Sequence, residues 1–273
     1  IILIIYGLIA EVSIPRLFLA GVVPGLIQAA LFAFFILVFA YRKGLPNAPV
    51  QTLRDFLLAN LKALPAISIP VVIFVGIYGG YATVAEAAGL AALLSILVSL
   101  LVYRGCTLAE VLPITAIAVR RSAAIIMIVL AALLFSHWLT ETRMPNRIVE
   151  AITEYNLQPW QFLVLICIVM LFLGTVLEGL SIVLIIVPLV LPILSHLEID
   201  PIQFAIIVVI NIEIAMLTPP IGLNLFVLAG VSKAPVTEVI RGVLPFLLMM
   251  VALLALVTFF PMLSLGLPEW VYR

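Results

Sequence analysis

Charge is what this sequence has least of. Only 10% of its 273 residues are charged, 13 basic against 13 acidic, while 66% are hydrophobic. A zero net charge leaves no basic footprint for nucleic acid. Histidine and cysteine are scarce as well, two of each, and Cys106 and Cys167 stand far apart without metal-ligand spacing, so they read as packing thiols. No Gly-x-Ser-x-Gly elbow, His-Glu-x-x-His pair or phosphate loop occurs. The two aspartates, Asp55 and Asp200, fall in loops, which excludes an intramembrane aspartate pair. The chain therefore reads as neither an enzyme nor a cofactor carrier. A soluble domain is nearer half apolar and a quarter charged, so a mean hydropathy of +1.40 requires lipid as much of the solvent. Runs such as residues 17–41 are apolar on every face, unlike the alternating strands of a membrane barrel. The expected class is an all-α polytopic membrane protein. The first residue falls within an apolar run, with no signal-peptide pattern, and the sequence reads as a fragment.

Residues 1–10 read as the end of a helix, closed by a polar turn at 11–16, and residues 17–41 are long enough to cross a bilayer with some tilt. A basic stretch over 42–62 reads as a linker between repeats, its 52–61 part an amphipathic surface helix. Crossings are expected over 64–81 and 83–103, then a second basic connector over 104–121. Two crossings separate the connectors, so both lie on one face, which the positive-inside rule makes cytoplasmic. The apolar core at 123–135 covers only about 20 Å as a helix. Residues 122–155 are therefore expected to form a re-entrant hairpin with its apex at Phe135-Ser136-His137-Trp138. Residues 159–177 then enter the membrane, 179–197 leave it, 201–229 hold a double proline, and 243–265 make a last crossing.

The double proline lies in "NIEIAMLTPPIGLNLFVLAG", residues 211–230. Pro219 and Pro220 lack the N–H groups that would satisfy the carbonyls of Ala215 and Met216, and a residue before proline leaves helical geometry. The carbonyls of 215–218 and the Thr218 hydroxyl thus become available oxygens. A new helix starting at the prolines would aim N–H groups near Gly222 and Leu223 at the same place. Oxygens for a cation beside a helix dipole for an anion is a recurring design of secondary transporters. Asn211 and Asn224 are further candidates for that site. The alternative is a proline kink that only shapes packing, in a membrane scaffold that carries nothing.

A second constellation, "LFLGTVLEGLSIV", interrupts an apolar run with Gly174, Thr175 and Glu178. Glu178 either faces a polar cavity or reaches the interface from a helix end. Glu213 falls on another face of its helix than Asn211 and Thr218, since two residues turn about 200°, and reads as structural. Thr83 and Glu86 in "GGYATVAEAAG" fit either a capping box or a binding role. Ser136 is a candidate ion ligand, and Trp138 an interfacial anchor.

The stretches "NIEIAMLTPPIGLNLFVLAG" and "GGYATVAEAAG" resemble the large membrane subunit of tripartite ATP-independent periplasmic (TRAP) transporters, matching its C-terminal two-thirds. The second departs from the family pattern, with Val84-Ala85 where the family has Pro-Thr. The resemblance implies an elevator-type importer of two inverted repeats, each with a re-entrant hairpin and a broken helix. Residues 1–41 would end a truncated first repeat, 42–62 link the repeats, and 63–273 form the second, with a hairpin near 122–155 and a helix break near 218–220. It further implies sodium as coupling ion, a periplasmic substrate-binding protein that delivers a C4-dicarboxylate or a sialic-acid-like carboxylate, a small membrane subunit, and residence in the bacterial inner membrane. Carried onto this chain, sodium ligands would come from Ser136, Gly174, Thr175 and Thr218, and substrate contacts from Thr218, Pro219, Pro220, Gly222, Asn224, Asn211 and Glu178. A self-sufficient anion or ion transporter of related fold is the competing reading.

Overall fold

The computed structural model describes residues 1–44, 52–219 and 222–272. Its helices are α1 (Ile2–Ile9), α2 (Ile14–Lys43), α3 (Leu53–Tyr78), α4 (Val84–Leu97), α5 (Leu108–Glu141), α6 (Met144–Glu154), α7 (Pro159–Gly174), α8 (Gly179–His196), α9 (Pro201–Met216), α10 (Leu223–Ser232), α11 (Val236–Phe259) and α12 (Met262–Val271). No strand occurs among the described residues. Six stretches are long and apolar enough to cross a membrane: Ile14–Lys43, Leu53–Tyr78, Val84–Val102, Leu108–Leu139, Gly179–His196 and Val236–Phe259. The chain divides into two compact units, Ile1–Lys43 with Val129–Arg273, and Gly44–Ile128.

The first unit is organised around α9. Asp200 caps its start, Oδ1 accepting from the Ile202 and Gln203 N–H groups at 2.7 and 3.4 Å, and Pro201 occupies the first turn, where a missing N–H costs nothing. Twelve of its sixteen residues are buried, so α9 is a core helix with neighbours on nearly every side. The Tyr6 hydroxyl of α1 donates to the Pro201 carbonyl at 2.6 Å. Gln203, also buried, donates from Nε2 to the Val257 and Thr258 carbonyls at 3.0 and 3.2 Å, which ties the start of α9 to the end of α11. Phe246 of α11 takes Phe32 and Phe35 of α2 edge-on, at centroid distances of 5.1 and 5.2 Å. α12 lies along α2.

The second unit contains α3, α4 with a π-helical turn at Val98–Val102, and the first part of α5. Thr83 and Glu86 form a reciprocal capping box at the start of α4: Glu86 N–H donates to Thr83 Oγ1 at 3.3 Å, and Thr83 N–H to Glu86 Oε2 at 2.7 Å. Of the two readings of this pair, the structure shows capping. The Tyr103 hydroxyl donates to the Lys62 carbonyl at 2.7 Å, holding the end of the π-helical turn against α3.

Several boundaries move. The 52–61 surface helix and the 64–81 crossing are one helix, α3, which runs through Pro65 and Pro70. The connector expected over 104–121 is mostly helical too, because α5 continues from Leu108 through Pro113 to Glu141. Ser136 and its neighbours therefore lie inside α5, and the bend comes later, at Thr142 and Arg143, where Arg143 takes a left-handed φ of 53°. The crossing expected over 243–265 is displaced toward the N-terminus: α11 starts at Val236 after Pro235, takes Glu238 and Arg241 into its first turns, and ends at Phe259. Residues 45–51 of the expected linker lie outside the described residues.

The end of α7 and the start of α8 both lie close against α9 because side chains are missing. A Cβ on Gly174 would stand 2.4 Å from the Ala215 Cβ, and one on Gly179 2.4 Å from Ile212 Cγ2. Gly174→Ala should destabilise the intact protein by about 1–3 kcal/mol through overpacking, measured as a lower melting temperature in detergent, and Ala215→Gly should restore part of the loss. Gly89→Ala, where the added Cβ meets nothing within 4 Å, should be neutral. Equal shifts for the two glycines would refute the packing argument.

Candidate functional site

α7 and α9 run side by side in the same direction. Their starts both lie at the end of α11, as the Gln203 bonds to Val257 and Thr258 and the Trp160–Phe259 ring contact at 6.4 Å show. Further along, Asn211 Nδ2 donates to the Cys167 carbonyl at 3.2 Å, and Gly174 meets Ala215. Each helix has sixteen residues, about 24 Å at 1.5 Å per residue, short of a hydrocarbon core of roughly 30 Å. Each is therefore too short to cross a bilayer alone, and the two end next to each other.

Each end leaves carbonyls without donors. Beyond α9, Leu217 N–H donates to the Ile214 carbonyl at 3.0 Å and Thr218 N–H to that of Ala215 at 3.1 Å. Ala215, expected to be free, is thus satisfied by a tighter turn. Met216 has no donor among the described residues, and the residues three and four positions on, Pro219 and Pro220, have no N–H to give. At the end of α7, Leu177 N–H donates to the Leu173 carbonyl at 2.8 Å, and the Gly174 carbonyl is passed over. No donor among the described residues reaches the oxygens of Gly174 or Met216. Two threonines flank them in the same manner. Thr175 Oγ1 donates to the Phe172 carbonyl at 2.8 Å and Thr218 Oγ1 to that of Ile214 at 2.7 Å. Each hydroxyl proton is turned back into its own helix, which leaves the lone pairs for something else. Helix C-termini carry partial negative charge, so the paired ends form an oxygen-rich spot that favours a cation.

α10 restarts the chain beside it. Gly222 is its N-cap with a φ of 49°, and a Cβ there would come within 3.0 Å of the Thr218 carbonyl oxygen. A left-handed φ and a close backbone contact both select glycine at this position. The N–H groups of the first turn of α10, which contains the exposed Asn224, form a positive dipole end near the same break.

The other expected site residues are placed as follows. Asn211 is fully buried between α7 and α9, and its Oδ1 has no partner among the described residues. Pro219 is exposed, and Pro220 lies outside the described residues. Glu178 is the N-cap residue of α8, exposed and without a side-chain capping bond. Ser136, half-buried in α5, belongs to a helix without extensive packing against α7 or α9. Gly174 and Thr175 thus stand at the end of α7, which meets α9 at Ala215, Thr218 follows the end of α9 with Gly222 against its carbonyl, and Ser136 belongs to another helix.

One pair escaped the sequence reading. Gln28 of α2 donates from Nε2 to Glu213 Oε2 of α9 at 3.3 Å. Gln28 is the fifteenth of thirty residues in α2, so this contact lies roughly 21 Å from either end of that helix, at mid-membrane depth. The available signal was a single amide in the apolar run over 17–41.

The family model described as "Tripartite ATP-independent periplasmic transporter, DctM component" matches residues 1–263. The chain belongs to this family. It is similar to the C4-dicarboxylate TRAP transporter large permease protein DctM of Pseudomonas aeruginosa, 40% identical over 270 residues, 99% of this chain and 63% of that protein. The DctM protein of Rhodobacter capsulatus is 37% identical over 261 residues, 96% of this chain and 59% of the relative. The sialic acid TRAP transporter large permease protein SiaM of Vibrio cholerae is 32% identical over 267 residues, 98% of this chain and 62% of the relative. The chain spans about three fifths of the length of these curated relatives. The DctM family consists of transporter permeases, not enzymes, and this all-α polytopic chain is a protein of the bacterial inner membrane.

The Gln28–Glu213 contact can be weighed by a double-mutant cycle with alanine at each position in the intact protein. Hydrogen bonds between membrane helices average about 0.6 kcal/mol with a maximum near 1.7 kcal/mol, so a coupling energy in that range is expected from unfolding in mixed micelles. Strictly additive single losses would show that the pair does not link α2 to α9.

Proposed function

We propose that the intact protein is the large permease of a sodium-coupled secondary importer for an organic acid, a C4-dicarboxylate in the first instance and a sialic-acid-like carboxylate in the second. A periplasmic binding protein delivers the substrate, and a small membrane subunit accompanies the permease. The observation that carries the proposal is the convergence of the ends of α7 and α9 at Gly174 and Ala215, one end bearing the Gly174 carbonyl and the Thr175 hydroxyl, the other the Met216 carbonyl and the Thr218 hydroxyl, both carbonyls without a donor among the described residues. These are the oxygen donors an alkali cation requires, and unwound helix ends at mid-depth are where transporters hold coupling ions. The start of α10 supplies N–H groups of the opposite polarity, suited to the carboxylate of the cargo, with Asn224 in the same turn. A cation bound on one side of Thr218–Pro219 would neutralise the helix ends and favour the anion on the other. The names of relatives 40% and 37% identical to this chain support the C4-dicarboxylate class. An elevator movement of the site across the membrane is part of this reading.

Uptake of a labelled C4-dicarboxylate into proteoliposomes by the complete transporter should require both a sodium gradient and the binding protein; uptake that proceeds with neither refutes the proposal at its centre. Thr218→Val and Thr175→Val should each raise the sodium concentration needed for half-maximal uptake by roughly tenfold, the effect of about 1.4 kcal/mol of lost coordination, with the folded fraction unchanged. Wild-type sodium dependence in both variants would take these hydroxyls out of the site.

A further inference from the structure

A cavity of about 670 Å³ opens at the other end of α9, where α2 begins and α12 finishes, and Arg16, Asp200, Met262, Glu269, Trp270 and Tyr272 contribute to its lining. The sixteen residues of α9 put roughly 24 Å between it and the break at Thr218. Its level relative to the lipid follows from its neighbours. The spanning helix α11 ends there at Phe259, against which Trp160 of α7 packs. Trp160, Trp270 and Tyr272 are all exposed at this end, and tryptophan and tyrosine gather at the headgroup level of a bilayer.

The charges in the cavity are not paired with each other. The Arg16 guanidinium lies over the Tyr272 ring, 5.1 Å from its centroid, and forms no ion pair with a described residue. Asp200 uses Oδ1 to cap α9 and keeps Oδ2 for another donor. Glu269 is exposed and has no partner among the described residues. Among the described residues the wall carries one guanidinium against two carboxylates, a net negative count that disfavours a dicarboxylate. The cavity suits a ligand with one anionic and one cationic group on a short linker. At headgroup level, that chemistry is phosphoethanolamine.

We propose that this cavity is a binding site for the headgroup of a zwitterionic, primary-amine phospholipid: phosphate on Arg16, ammonium between Asp200 and Glu269, glycerol and first methylenes against Met262 and Trp270. Guanidinium and phosphate match in bidentate geometry, and an ammonium has three protons to share between two carboxylates. A choline headgroup has the same charges and no such protons. A glycerol headgroup has the phosphate and no cation.

The test offers the intact protein, purified in detergent, equal amounts of phosphatidylethanolamine, phosphatidylcholine and phosphatidylglycerol with identical chains, and counts bound lipid by native mass spectrometry. Phosphatidylethanolamine should be retained roughly tenfold over each of the others, the factor expected from one charge-assisted hydrogen bond. Glu269→Gln should reduce its preference over phosphatidylcholine to less than about twofold, and Arg16→Gln should reduce retention of phosphatidylethanolamine itself, both with unchanged melting temperature. If Arg16→Gln does not fold, the exposed Glu269 position decides alone. Equal retention of ethanolamine and choline lipids, a preference for phosphatidylglycerol, or a preference that survives Glu269→Gln overturns the proposal. So does displacement of the lipid by an equal concentration of soluble glycerophosphoethanolamine, which would make the ligand a free zwitterion.

Discussion

A peptide group inside a bilayer has no water to turn to, and this single constraint orders the whole structure. Every long apolar stretch becomes a helix because a helix satisfies its own carbonyls and N–H groups. Wherever the helix stops at depth, the exposed polar groups must be shielded by protein or given a purpose. α7 and α9 stop in this way, and they stop together. Glycine at 174 removes the side chain that would keep them apart, so the end of each shelters the end of the other, and glycine at 179 does the same for the start of α8 against α9. Buried Asn211 adds a cross-link through the Cys167 carbonyl. Its unpartnered Oδ1 is a cost of about 1–3 kcal/mol that the packing around it has to offset.

The prolines show how the same residue has different effects in different numbers. Pro24, Pro188, Pro192 and Pro245 all sit inside continuous helices. A lone proline withholds one donor, and the carbonyl four residues back can accept from the residue three positions on. At 219 and 220 both alternatives for Met216 are proline, and no rearrangement of that carbonyl within α9 can recover a donor. Adjacency, more than proline content, ends the helix.

This difference governs how much could be read in advance. The all-helical class followed from composition, and the interruption around Thr218 from the two adjacent prolines, because both are local properties of the chain. The limits of α3, α5 and α11 did not follow, since each helix takes in charged residues that read as connector: Arg54, Asp55 and Lys62 in α3, Arg120 and Arg121 in α5, Glu238 and Arg241 in α11. Charge misled over 104–121, where a basic stretch belongs to α5 itself. The pairing of Gly174 with Ala215 was invisible, as a glycine in an apolar run says only that a side chain is missing, and its reason stands on another helix. Asn211 was read as a candidate for the site around Thr218, but its direction, toward the Cys167 carbonyl of α7, depended on a neighbour the sequence could not supply.

Gln28 carries a consequence of its own. α2 is apolar around most of its circumference, so lipid by itself has almost no preference for which side of the helix faces inward, and its rotation is set by contacts with other helices. A soluble helix is held in rotation by its apolar stripe. α2 has instead one amide near its midpoint, bonded to Glu213, which acts as a key in a slot. With that key engaged, Phe32 and Phe35, one and two turns further on, come round to face Phe246. The least conspicuous residue in thirty thus adds a directional contact to the packing of Leu17, Ala20 and Pro24, which already turns one side of α2 inward.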